Sequence, residues 1–547
     1  MCGIIGLVNV SNQKEIITTG LGKITSRGTD STNILEMQKV IFGHNLHSIV
    51  GFVNQPIFSQ KGMLIINCEI YNWKEIAKKS KLKPKNDAEL VFLLLEKNGI
   101  NGFLKEKIVE EFDGDFSFAY YSKNENKIIL GRDILGVKPL VYGFDKKKKQ
   151  FYFASEKKAL PFESIHLNPR KILIFDTKKN SINFIERKIS DIKTKKGTEL
   201  VSLSNFLTKS ILKRVPEKKF GVLFSGGIDS TLIVDILKEH EKEFVNVFSY
   251  IDGLSEPKDL ENAKKVSNLL EVKLFFARVS LEEFEKELPK IISLIESTDP
   301  IRVGVASTIY FASKKLSSVD SEIKVVFSGL GADEIFAGYD RFKRSTNINK
   351  DCFSYLIKMY ENDLYYQDIV LMYNKLELRV PFLDKKLVEF GLNLDPKFKI
   401  DKKSGENKLI LRELALSLGL PKEIAYRKKK AAQYGSNFDK AIEKLAKNNG
   451  FVSKADYLNS LLNKNNPNQK NIPIAALIST GKDSIYAMHL MQKQGYGVKC
   501  LITIDSSNKD SFMFHTPTIK LAKLQAIAMN LPLIIVKTKG VKEIELK

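Results

Sequence analysis

Short apolar runs alternate with turn residues from the start of the chain to about residue 175. Gly62-Met63-Leu64-Ile65-Ile66-Asn67 and Asp115-Phe116-Ser117-Phe118-Ala119-Tyr120-Tyr121 have the length and composition of strands. Asp87 to Lys97 predicts a helix, because Leu90, Val91, Leu94 and Leu95 recur at spacings of three and four. A β-rich layered domain fits this pattern. Residues 184 to 200 are polar and rich in lysine, which predicts a linker. From about 200 to 450 the pattern changes. Phe220 to Phe224, Val245 to Tyr250 and Lys324 to Phe327 are mainly apolar runs separated by helical stretches. That alternation predicts a parallel sheet flanked by helices. Asn463 to Asn471 is a polar break, and a linker is expected over 451–472. Ile474 to Ile478 then opens a second strand–turn–helix unit running to Lys547, small for an α/β domain.

Composition narrows the class. Of 547 residues, 43% are hydrophobic and 28% charged, as in an ordinary globular chain, and the length predicts about three to four domains. No run nears the ~18 apolar residues of a membrane span, so no membrane partner is expected. Met1-Cys2-Gly3-Ile4-Ile5-Gly6-Leu7 lacks the basic start of a secretory signal. Four cysteines without a CxxC pair suit neither a disulfide framework nor zinc. A cytoplasmic enzyme is the expectation. Lys and Arg total 87 against 64 Asp and Glu, a net charge of +23. The lysines are scattered, so a lysine-rich surface is the favoured reading and a nucleic-acid partner the other. A homodimer is compatible with the sequence.

Candidate chemistry begins at Cys2. Removing Met1 would leave a thiol and a free α-amine on one residue, and an amine titrating near ~8 can serve as base for the thiol. Ser26-Arg27-Gly28-Thr29-Asp30-Ser31, Asn54-Gln55-Pro56-Ile57 and Asn67-Cys68-Glu69-Ile70-Tyr71-Asn72 follow in order. Gly131-Arg132-Asp133, Gly136-Val137-Lys138-Pro139-Leu140 and Ala154-Ser155-Glu156-Lys157-Lys158-Ala159-Leu160 complete the set. Together they resemble the class II glutamine amidotransferase domain of asparagine synthetases, an N-terminal-nucleophile hydrolase of αββα layers, over residues 1–180. The resemblance implies that Cys2 attacks the glutamine amide. It implies an oxyanion hole from Asn67 and the Cys68 backbone N–H, and glutamine binding by Asp87, Glu69 and Ile49, with Asp87 on the α-amine. Two positions depart from the family. Cys68 stands in place of Gly, and Leu46 in place of the Arg that pairs with the glutamine α-carboxylate. His47 is the candidate replacement.

Ser225-Gly226-Gly227-Ile228-Asp229-Ser230 follows a predicted strand and precedes a helix, where backbone N–H groups can meet phosphate. It lacks the Gly-Lys-Ser/Thr of a Walker loop. It resembles the SGGxDS loop of ATP pyrophosphatases. Ser328-Gly329-Leu330-Gly331-Ala332-Asp333, Leu376-Glu377-Leu378-Arg379-Val380-Pro381-Phe382-Leu383-Asp384 and Lys408-Leu409-Ile410-Leu411-Arg412 resemble the synthetase domain of the same family, expected over 195–450. The resemblance implies that Ser225, Gly226, Gly227 and Ser230 grip phosphate and that Asp229 and Asp333 hold Mg²⁺. Leu223 and Tyr250 would contact adenosine, Ser328 and Gly329 would lie at the nucleotide, and Lys429 would stabilise pyrophosphate. Leu330 replaces the family's Glu beside the acyl-acceptor site.

Ser479-Thr480-Gly481-Lys482-Asp483-Ser484, with Ala522-Lys523-Leu524-Gln525-Ala526, resembles part of diphthine–ammonia ligase over 473–547, another ATP pyrophosphatase. Thr480 replaces that family's first Gly. The expected whole is a multidomain α/β chain using glutamine, aspartate, ATP and Mg²⁺ to make asparagine through aspartyl-AMP. The alternative is ATP-dependent amidation of a different acyl acceptor, tRNA- or translation-factor-linked, with free ammonia. The third reading is a scaffold that kept the fold, against which intact Cys2, Asn67, Asp87, Asp229 and Asp333 weigh.

Overall fold

The computed structural model describes residues 2–189, 200–428, 431–465, 472–493, 496–508 and 519–538. The chain divides into two compact units, Met1–Leu458 and Asn459–Lys547.

Two antiparallel six-stranded sheets occupy the first part of the large unit. One holds Gly3–Val8 between Gln150–Ala154 and Val40–Leu46; the other holds Gly114–Ser122 between Gly62–Ile70 and Lys127–Arg132. Alternate residues of their strands meet in one core of Ile4, Phe42, Met63, Ile65, Phe151, Phe153 and Phe175. Helix Gln13–Lys23 covers the outer face of the first sheet with Ile17 and Leu21. Helix Asp87–Lys105 covers the second with Leu90, Val91, Leu94 and Leu95, the predicted stripe. The result is four layers, αββα.

The second part is a five-stranded parallel sheet in the order Leu274–Val279, Phe244–Ile251, Phe220–Leu223, Val325–Phe327, Glu377–Arg379. Strands added in sequence run to one side of Phe220–Leu223 and later ones to the other. The order therefore reverses between Phe220–Leu223 and Val325–Phe327, where ligands of open α/β sheets bind beyond the carboxyl ends of the strands.

Two expectations need correction. The 451–472 stretch expected as a linker carries a helix, Lys454–Asn465. Tyr457, Leu458 and Leu461 are buried, and these few apolar residues are outweighed in composition by the surrounding Lys and Asn. Likewise the polar 184–200 stretch begins inside a strand, Ser181–Glu186, whose edge position leaves its side chains largely exposed. Residues 190–199 lie outside the described set. The smaller unit is a three-stranded parallel sheet of Ile472–Leu477, Tyr496–Ser506 and Leu533–Thr538. No helix among the described residues is long and apolar enough to cross a membrane.

The two halves of the large unit meet through buried charge. Arg27 Nη1 lies 2.8 Å from Glu156 and 2.7 Å from Asp368 on helix Asp363–Tyr373. All three side chains are almost wholly buried. Removing one partner of a buried pair strands the other. Asp368→Ala is expected to cost about 3–5 kcal/mol of unfolding free energy, and Lys14→Ala, at an exposed pair with Glu36, at most about 1 kcal/mol. Chemical denaturation of both variants checks the contrast.

Candidate active sites

Cys2 immediately precedes the strand Gly3–Val8, in the centre of its sheet. Its backbone N–H donates to Asn67 Oδ1 at 2.9 Å and its carbonyl accepts from Arg27 Nε at 3.2 Å. Next to Arg27, Gly28 packs against the strand Val40–Leu46, where a Cβ would lie 2.5 Å from the Leu46 backbone. Asn67 is fully buried, and its Nδ2 has no hydrogen-bond partner. An unused buried amide donor beside the cysteine suits an oxygen that becomes negative during reaction. Burial pushes the Cys2 thiol up, and it pushes the Cys68 thiol well up, with Asp87 reinforcing.

Cys2 opens on a small, partly enclosed pocket lined by residues of several loops and strands. Ile49, Cys68, Glu69 and Asp87 line it, so the expected glutamine-site residues converge. Asp87 begins its helix behind the capping residue Asn86 and accepts from Ile70 N–H at 3.0 Å and Ala88 N–H at 2.9 Å. Burial nonetheless raises its carboxyl.

One wall comes from the other half of the unit. Glu377, first residue of the strand Glu377–Arg379, lines the Cys2 pocket. Its Oε1 meets Arg379 Nε at 2.6 Å, and Lys138 Nζ lies 3.5 Å from Oε2. Arg379 Nη2 reaches Glu69 at 2.9 Å. Burial would raise both acids. Arg379 and Lys138 overcome it at Glu377, which stays well below the usual carboxylate range, whereas Glu69 is pushed up to about 7. Of the two acids, Glu377 is the one its cations hold charged most firmly. Glu377 and Lys138 were not singled out from the sequence as site residues; both sit inside quoted motifs, but their meeting joins positions 239 apart and no local pattern encodes it.

The second site forms at the sheet's reversal point. Gly226 adopts φ +66°, and Asn262 Nδ2 donates to its carbonyl at 2.6 Å. Ser230 Oγ donates to the Gly227 carbonyl at 3.1 Å, folding the loop onto helix Ile228–Glu239. Leu223 ends the central strand, and Tyr250 lies on the neighbouring Phe244–Ile251. Ser328 and Gly329 follow the strand on the other side, and a Cβ on Gly329 would sit 2.8 Å from Asp229 Cβ. Ser328 N–H donates to the Arg379 carbonyl at 3.0 Å. Lys429 lies outside the described residues.

Asp229 and Asp333 converge. Lys408 Nζ lies 2.6 Å from Asp229 Oδ2 and 2.7 Å from Asp333 Oδ1. Two carboxylates aimed at one cation position fit Mg²⁺, which takes few protein oxygens and completes its shell with water and phosphate. The ammonium of Lys408, which sequence reasoning did not single out, supplies the positive charge there. Among the described residues no cluster of three or more His, Cys, Asp or Glu suits a metal held by protein alone.

The smaller unit repeats this loop. Ser484 Oγ donates to the Gly481 carbonyl at 3.0 Å, as Ser230 does to Gly227, and Ser479 and Ser484 Oγ atoms lie 3.4 Å apart, as Ser225 and Ser230 do at 3.5 Å. Thr480 takes φ +63° where Gly226 takes +66°.

A cysteine pocket walled by a nucleotide-loop domain defines an amidotransferase-coupled ligase. Sequence comparison agrees: residues 1–182 match the glutamine amidotransferase domain, 203–358 and 353–464 asparagine synthase, and 472–547 the diphthamide synthase N-terminal domain. A Methanocaldococcus jannaschii protein named, provisionally, asparagine synthetase (glutamine-hydrolyzing) 1 is 32% identical over 83% of this chain and 97% of its own. Asparagine synthetase B (glutamine-hydrolyzing) of Escherichia coli is 27% identical over 80% of this chain and 83% of its own. The Rattus norvegicus asparagine synthetase (glutamine-hydrolyzing) is 29% identical over 80% and 84%. The chain belongs to the glutamine-hydrolysing asparagine synthetase family and is an ATP-using ligase.

Two tests follow from the loops and from the acids near Asp333. A left-handed Thr costs roughly 1–2 kcal/mol, so Thr480→Gly is expected to stabilise the smaller unit by about 1 kcal/mol. Gly226→Ala, with a Cβ 2.5 Å from Asn262 Nδ2, should destabilise its own loop; hydrogen exchange reads both. Glu334 is pushed up to about 7 by burial and by Asp333. Its folded form keeps a proton that the unfolded chain releases near ~4.3, so stability falls as pH rises from about 4 to 7. Glu334→Gln should flatten that fall in thermal unfolding at a series of pH values.

Proposed function

We propose that the chain makes asparagine from aspartate, ATP and glutamine, adenylating the aspartate side chain to aspartyl-AMP and amidating it with ammonia freed at Cys2. The strand Glu377–Arg379 supports this most. Its first residue walls the Cys2 pocket, and the carbonyl of its last holds the Ser328 loop. Three residues thus span the amide-cleaving and acyl-activating centres.

Cys2 attacks the side-chain amide carbon of glutamine, its proton passing to the α-amine exposed by loss of Met1. Asn67 Nδ2 and the Cys68 N–H receive the charge on the amide oxygen; such donors contribute about 3–4 kcal/mol each. Asp87, Glu69 and Ile49 place the amino-acid end. Ammonia leaves, and water releases glutamate from the thioester. In the second centre Ser225, Gly226, Gly227 and Ser230 hold the ATP phosphates, with adenosine against Leu223 and Tyr250. Ser328 and Gly329 border the nucleotide and Lys429 the pyrophosphate. Asp229 and Asp333 would hold Mg²⁺, which offsets charge on the phosphate oxygens. Leu330, half-buried beside this loop, favours one rival: a different acyl acceptor amidated with free ammonia.

Mass spectrometry of AMP and asparagine, with aspartate, Mg·ATP and either glutamine or ammonium, tests the reading. Cys2→Ala is expected to abolish glutamine-dependent synthesis and keep the ammonium-dependent reaction. Asp333→Asn is expected to lower AMP formation at least a hundredfold with both. AMP without asparagine from the parent chain would reject aspartate as the acceptor.

A further inference from the structure

The Cys2 pocket leaves one end of an amino-acid amide without an evident partner. Asp87, Glu69 and Glu377 place three carboxyl groups in its wall, and no lysine or arginine lines it. The buried cations around it are engaged: Arg27 with Glu156 and Asp368, Arg379 with Glu377 and Glu69, and Lys138 with Glu377. Lys324 pairs with Asp30 at 2.9 Å and donates to the Ser48 carbonyl at 3.2 Å. A ligand carboxylate entering among acids is costly unless a donor meets it.

Most polar side chains of the wall are already used. Gln55 accepts from Ile66 N–H at 2.7 Å and donates to the Ile66 carbonyl at 3.0 Å. Asn86 caps its helix by accepting from Glu89 N–H at 3.0 Å, and Ser48 Oγ donates to the Gly51 carbonyl at 2.6 Å. Leu46 is buried and offers no donor. His47 differs: it lines the pocket, is 6% exposed, and its Nε2 is buried without a hydrogen-bond partner. It shares the pocket lining with Cys2, which places the residue near the nucleophile. An unpaired buried ring nitrogen on a residue that lines the nucleophile's pocket is a group waiting for a partner.

We propose that His47, through Nε2, holds the carboxylate end of the amide donor while Asp87 holds its amine, and so sets the pocket's preference for a free α-amino-acid amide. This rests on the pocket's being the glutamine site. Burial, reinforced by Lys324 and opposed by Glu377 and Asp30, keeps the ring neutral. A neutral imidazole presents one N–H, where a guanidinium would present a charged fork. A single hydrogen bond to a charged group corresponds to about a ten- to hundredfold preference.

Ammonia release by the full chain from glutamine and from glutamine methyl ester, which lacks the carboxylate charge, tests the assignment. The parent chain should favour glutamine in kcat/KM by about tenfold or more. His47→Phe should bring that ratio near unity through the KM for glutamine, and His47→Gln, which keeps a neutral N–H, should recover part of it. Parallel losses for both amides, or an unchanged ratio, would overturn the role of His47 and leave the glutamine reading standing. Failure of the parent chain to release ammonia from either amide would overturn the glutamine reading and this assignment together.

Discussion

A buried charge must find a partner or be neutralised, and at the junction of the large unit the partners come from both halves. Arg27 is answered by Glu156 from its own half and Asp368 from the other, and it also binds the Cys2 carbonyl. Arg379 is answered by Glu377 beside it and Glu69 across the boundary. Each arginine thus has one partner from its own half and one from the other. The same pairs therefore fix the height of the nucleophile, close the pocket wall and tie that wall to the strand leading into the Ser328 loop.

The two phosphate-type loops show how much of such a site is backbone. Their last serines make the same bond to the glycine carbonyl, and their second residues take the same left-handed turn, although one is Gly and the other Thr. The turn is imposed by the strand-to-helix connection, and side-chain identity adjusts its cost. A Thr held at positive φ is strain retained by the surrounding structure.

Much of the architecture was legible because burial patterns are local. The stripe Leu90, Val91, Leu94, Leu95 and the run Phe220–Phe224 announce a helix on a sheet and a central parallel strand, and both are found. Of the expected residues, Cys2, Ile49, Cys68, Glu69 and Asp87 line one pocket, and Asp229 and Asp333 meet at Lys408. What stayed hidden is contact between distant segments. Lys408 bridging Asp229 and Asp333, and Glu377 entering the Cys2 pocket, depend on packing across the whole unit. The helix Lys454–Asn465 was hidden for another reason: a few buried residues, Tyr457, Leu458 and Leu461, stand in a segment whose composition is that of a linker.

The borrowed wall at Glu377 bears on how such a chain can change over time. A domain with a self-contained site can be cut out, duplicated or traded between genes and arrive working. Here a swap of either half would bring a pocket missing one side and a set of cations facing strangers. The two halves are therefore bound to drift in step, each substitution along the seam admissible only against the neighbour it already has.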